Sequence, residues 1–348
     1  MDDLIWIASN PLARIGFPVE KSMPGPLFTA SARPPSTSPR RLLRHVFAVL
    51  FATQIMSSTL PGAIVYWDTN GTTAGAGGPT PSGTWSTANG AANKRWSTSS
   101  AGTATTSSWT SGNDAVFSAG TDATGAFTVT VSGTQNVSSI TVNLGSPTLS
   151  SGNINFSTAT PNVLVAAGST LTFGSALTST SNNLTLGSSA FTGTTVFSAN
   201  TSLSGTVTLA GGTLTLGGTS STFGTLNVTG NSTIDFAGTN TLNVTTLTIS
   251  AGVTLTIQNW TRASDFFYAT NWTGATPNVM GSAPMNQVTF NGFTASQTGW
   301  DSYDNQIRPN VPEARTYGAL LLGALTTVFV GRRLMRRPAG HADIPPDF

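Results

Sequence analysis

From Phe127 to Ile257 the apolar residues come in short pulses that alternate strictly with Ser, Thr, Asn or Asp. Examples are Phe127-Thr128-Val129-Thr130-Val131, Ile140-Thr141-Val142, Leu184-Thr185-Leu186, Val207-Thr208-Leu209, Leu214-Thr215-Leu216, Ile234-Asp235-Phe236 and Leu255-Thr256-Ile257. Period two puts the apolar members on one face of an extended chain and the polar ones on the other. Thr is β-branched and suits the exposed face of a strand. Gly, Asn and Ser separate most pulses, so the strands are short and closely spaced.

Short strands at regular spacing fit a sandwich, a barrel or a solenoid. A solenoid fits best. Most pulses offer two or three inward side chains, which is what a narrow core takes. Related phrases recur, as in Gly205-Thr-Val-Thr-Leu-Ala-Gly211 and Gly212-Thr-Leu-Thr-Leu-Gly-Gly218. No long strand stands out as the centre of a sandwich. Ser/Thr/Gly bias by itself also describes low-complexity disorder, but regular Leu, Val, Ile and Phe alternation argues for a packed core. The expected fold class is all-β.

Aromatic residues flank the pulses. Tyr66, Trp67, Trp85, Trp96 and Trp109 precede them, and Trp260, Phe266, Phe267, Tyr268, Trp272, Phe290, Phe293, Trp300 and Tyr303 follow. A solenoid must close its ends against solvent and against edge pairing, so these read as aromatic-rich caps. The functional alternative is stacking on sugar rings, with Trp260, Trp272 and Trp300 as candidates.

Charge is scarce, at 8% of residues against about 25% in an ordinary domain. Eleven of the fifteen Lys and Arg lie before residue 64 or after residue 310, so the basic balance belongs to the ends. The body has no clustered base that would follow a phosphate backbone, and no nucleic-acid partner is expected. There is no Cys, the only His are His45 and His341, and the body lacks Glu. Thiol, Ser-His-Asp and imidazole-metal chemistry are thereby excluded from it. The aspartates Asp68, Asp114, Asp122, Asp235 and Asp265 are scattered; only Asp301 and Asp304 are close, with Arg308 nearby. Asp68-Thr69-Asn70-Gly71 reads as a turn, because the later ligands of a calcium loop are missing. The reading is a non-enzyme with no catalytic residue, metal or cofactor.

The two ends read as address labels. Residues 1–38 are Pro-rich and lack a sustained apolar period. Arg40-Arg41-Leu42-Leu43-Arg44, the apolar run Val46 to Met56 and small residues to Ala63 make a secretory signal, cut by signal peptidase near Ala63. At the other end Tyr317 to Val330 holds fourteen uncharged residues, followed by Arg332, Arg333, Arg336 and Arg337. As a helix that run spans about 21 Å, a short transmembrane helix against a hydrocarbon core of about 30 Å. The arginines hold the cytoplasmic side, which places the body on the exported side.

Val311-Pro312-Glu313-Ala314-Arg315-Thr316-Tyr317, the apolar run and the terminal arginines resemble the PEP-CTERM sorting signal. Ala314 stands where that family has a second Pro. The resemblance implies an exported protein of an exopolysaccharide-making Gram-negative bacterium, with exosortase, a membrane transpeptidase, as processing partner. The sorting residues it implies are Val311, Pro312, Glu313, Tyr317, Arg332, Arg333, Arg336 and Arg337. The body is similar to the autotransporter-associated β-strand repeat proteins, which carry runs such as GTLTLGG. That resemblance implies a right-handed parallel β-helix. No terminal translocator barrel is expected in the 91 residues after Ile257, since such a barrel needs many strands of about ten residues.

The expected organisation is 1–63 extension and signal peptide, 64–110 N-terminal cap, 111–257 β-helix repeats, 258–310 C-terminal aromatic-rich cap, 311–337 sorting signal and transmembrane helix, and 338–348 tail. The expected function is that of an exported, non-catalytic structural protein of the cell surface or extracellular matrix. An extracellular polysaccharide-binding protein or adhesin is the alternative, and a polysaccharide-cleaving β-helix enzyme that uses aspartates is the less favoured one.

Overall fold

The computed structural model describes residues 62–272 and 285–309. The expected signal helix and the segment 311–337 lie outside the described residues. Within them the chain is all-β and winds as a parallel β-solenoid. Almost every circuit lays one strand in a twelve-stranded sheet and one in a ten-stranded sheet. Successive circuits pair in parallel, as Ile140 with Val163 and Phe197 with Leu216. Between Asp114 and Phe266 the circuits repeat every 19 to 25 residues and complete about seven turns.

Inward residues stack on their own kind from turn to turn. One column runs Val129, Leu149, Phe173, Phe197, Leu216, Phe236. Another runs Val65, Ala115, Ile140, Val163, Leu186, Leu209, Val228, Ile249. The first column is at most 2% exposed throughout. Each such side chain contributes about 1.5–3 kcal/mol on burial, and the columns join into one core along the described chain. Edge-to-face contact between Phe173 and Phe197, at 5.9 Å, adds to it.

Some strands are longer than the pulses suggest. Ala126–Val137 has twelve residues and Ser146–Phe156 has eleven. Both are two straight segments joined at a register shift after Val131. In Thr201–Leu209 and Ser220–Val228 the shift follows Leu203 instead. At each shift two residues of one strand oppose one of its neighbour, the strand bends, and the ladder resumes beyond it, as at a bulge. The alternating pattern hides this, because the residues at the bend are the same Ser, Thr and Gly found in turns.

The parallel ladder continues past the pulses at both ends. Ile64–Trp67 pairs with Asp114–Phe117 across an interval of 50 residues, and that excursion carries four tryptophans. Trp67, Trp85, Trp96 and Trp109 gather with Phe117 at centroid separations of 4.7 to 5.9 Å. All five are at most 3% exposed. Trp96–Ser97 covers the edge of Ile64–Trp67 in antiparallel pairing. At the other end Phe266–Trp272 is the next parallel strand, and an antiparallel hairpin, Thr298–Asp301 with Gln306–Pro309, pairs to it. Both edges of the twelve-stranded sheet thus end on antiparallel strands.

Candidate functional site

The aspartates illustrate what the polar residues of this fold do. Asp114 accepts a hydrogen bond from the Ser139 hydroxyl, and Asp235 one from the Asn259 amide. Asp265 accepts from the backbone N–H of Asn240 and of Thr261. Asp122 accepts from the N–H groups of Ala76, Gly77 and Gly78. Burial alone would raise its carboxyl, but these donors outweigh burial and hold it below the usual carboxylate range. Gly75, at φ +97°, lies so close that a Cβ there would stand 2.5 Å from Oδ2 of Asp122. In Asp68, Oδ1 accepts from the N–H of Asn70 and Gly71. This is the turn expected of Asp68-Thr69-Asn70-Gly71. Oδ2 is buried without a partner, and burial pushes this carboxyl up. Among the described residues no group of three or more His, Asp or Glu is placed to hold a metal ion, and no helix is long and apolar enough to cross a membrane.

The seam between the last parallel strand and the antiparallel hairpin is different. In Phe266–Trp272 the fully buried Phe267 and Ala269 point to the core. Phe266 and Tyr268 therefore point outward. Their rings are parallel within 2°, with centroids 5.8 Å apart. Tyr268 is paired with Gln306, and Gln306 with Asp301. Directly opposed residues share a face, so a row Tyr268, Gln306, Asp301 crosses three strands. Two residues along, the antiparallel register sets Phe266 level with Arg308, and Arg308 is opposite Gly299.

Arg308 organises the polar half of this surface. Its guanidinium meets Oδ2 of Asp301 at 2.6 Å, Oδ2 of Asp304 at 3.1 Å and Oε1 of Gln306 at 2.6 Å. Both aspartates also brace the turn between the strands: Asp301 accepts from the N–H of Tyr303, and Asp304 from that of Gln306. The three charged side chains are 36–40% exposed, and Tyr303 on the turn is 96% exposed.

The tryptophans singled out for sugar stacking lie elsewhere in this region. Trp260, Trp272 and Trp300 are half-buried and pack against the core. Trp260 meets Phe290 edge-on at 5.2 Å, and Trp300 donates its indole N–H to the carbonyl of Ala269 at 2.8 Å. The sequence places Phe266 and Tyr268 among the cap aromatics without showing that they face outward. The run Phe266-Phe267-Tyr268 is aromatic at every position, so its alternation is invisible to a hydrophobic count. Asp301, Asp304 and Arg308 were visible as near neighbours in sequence, and the hairpin joins them. The expected sorting residues from Val311 onward lie outside the described residues. Comparison with protein-family models, with curated proteins and with solved structures returns no match.

Proposed function

We propose that this is an exported, non-catalytic structural protein of the cell surface or extracellular matrix, anchored by its C-terminal helix and processed by exosortase. On this reading signal peptidase removes the N-terminal segment, and the body is a right-handed β-helix that serves as a rigid spacer. The observation that carries the structural half is the use made of the carboxylates. Asp68, Asp114, Asp122, Asp235 and Asp265 each accept a bond that braces a turn or a ladder, and Asp301 and Asp304 are clamped by Arg308. The export half rests on the two end segments, whose order of bases and apolar runs gives one topology.

The test is fractionation of cells with and without an exosortase, combined with N-terminal sequencing and intact mass of the exported protein. The expected result is a start near Ile64 and a lighter C-terminus only where the transpeptidase is present. A mature protein starting at Met1 refutes the signal reading. A tail retained in both strains makes the segment a plain anchor.

A further inference from the structure

We propose that the outer surface of the C-terminal seam binds a neutral, unbranched polysaccharide chain. The proposal concerns the purified chain and stands whether or not the chain is exported. Two half-buried rings, Phe266 and Tyr268, stack within 2° of parallel on an outward face that elsewhere in the repeat carries Ser, Thr and Asn. On the preceding turn the same two positions are Thr241 and Asn243. The aromatic pair therefore departs from the outward pattern of the repeat, and its neighbours Phe267 and Ala269 already supply the core. The C–H face of a pyranose ring is apolar and covers such a ring surface.

Beside the rings lie the groups that read hydroxyls. Asp301 and Asp304 offer planar acceptors, and Arg308 offers a fork of donors already held in one orientation by both aspartates and by the buried Gln306. A donor fork and carboxylates fixed before binding lose little side-chain freedom when a hydroxyl arrives. Charge selects among polysaccharides. Two carboxylates oppose one guanidinium, so the patch is net negative and repels a uronate or sulfated chain. The patch runs along a sheet face across three strands, which suits a length of polymer and not a free monosaccharide.

The test is calorimetric titration of the full chain with cellohexaose, laminarihexaose and maltohexaose, with a hexamer of polygalacturonate as the anionic arm. At least one neutral hexasaccharide binds, and the anionic hexamer does not. The double variant Phe266→Thr with Tyr268→Asn copies the preceding turn. It keeps the thermal midpoint and weakens binding by about tenfold or more. Tyr66→Thr, a ring at the opposite end, leaves binding unchanged. In the wild-type chain, hydroxyl-radical oxidation of Phe266 and Tyr268 falls when the hexasaccharide is present, a reading that needs no variant to fold. The proposal is overturned if no neutral hexasaccharide binds, if the anionic one binds best, if the double variant folds and binds as well as wild type, or if neither ring is protected.

Discussion

Asp68 and Asp122 show how opposite environments divide one residue type. Asp68 is fully buried with one oxygen unpartnered, so burial favours its neutral form. A carboxyl raised in the folded state stabilises the fold below its folded pKa, and that contribution disappears as pH rises through it. At neutral pH Asp68 is therefore a burden, and Asp68→Asn, which keeps the acceptor for Asn70 and Gly71, raises the thermal midpoint. The gain shrinks as pH is lowered, because the wild-type carboxyl then protonates. Asp122 is the reverse case, held low by the N–H groups of Ala76, Gly77 and Gly78. Its contribution is present above the unfolded pKa and is lost as pH falls through the folded one. Asp122→Asn turns an amide N–H₂ toward those donors and costs about 1.5–3 kcal/mol at neutral pH. Thermal melts of both variants from pH 3 to pH 7 check the pair; parallel curves would refute the division.

At the level of a strand, the two faces tolerate change very differently. Phe197 is 1% exposed and sits in the column between Phe173 and Leu216. Phe197→Ala opens a cavity in a core one side chain deep and costs about 3–5 kcal/mol. Thr194, three residues earlier on the same strand, stands outward between Thr170 and Thr213 in a column of six threonines that ends at Thr289. Thr194→Ser removes only a methyl from a surface row and stays within about 0.5 kcal/mol. Chemical denaturation of the two variants reads the difference directly. The same face rule explains how much of the fold was legible. Pulses such as Leu214-Thr215-Leu216 declare strand and facing together, so the solenoid core followed from period two. What period two does not carry is direction at the corners: whether a chain bends through Gly133 or through Ser204 and Gly205 depends on the turn stacked beneath it. Nor does it carry facing where every residue is aromatic, so the run Phe266-Phe267-Tyr268 reads as cap residues with no side assigned to any of them.

Across the whole molecule, the ends and the body answer to different rules. At the C-terminus, changing Arg332, Arg333, Arg336 and Arg337 to Ser removes the charges that resist passage through hydrocarbon. On the proposed sorting reading, exosortase-dependent loss of the tail, followed by intact mass, is expected to fall; Ala314→Pro supplies the second Pro that this reading calls for and is expected to keep or raise it. The body obeys nearest-turn additivity, since each circuit touches chiefly the ones before and after it. Deleting residues 194–212 removes one whole turn, because Thr194 and Thr213 are register equivalents. The chain then runs from Gly193 into Thr213, setting Leu214 and Leu216 against Leu171 and Phe173, and Leu226 and Val228 against Leu184 and Leu186. Each of these inward contacts is apolar against apolar, and Thr213 and Thr215 fall on Thr170 and Thr172 outside, so the shortened protein keeps a cooperative melt at a lower midpoint. Deleting 195–212 instead leaves Thr194 in place and slips the next strand by one residue. A one-residue slip turns Leu214 and Leu216 to solvent and Thr213 and Thr215 into the core. That variant, one residue longer, is expected to lose the cooperative melt or the soluble protein altogether. Circular dichroism melts of the two deletions decide the matter, and equal stability would mean that register does not hold the solenoid together.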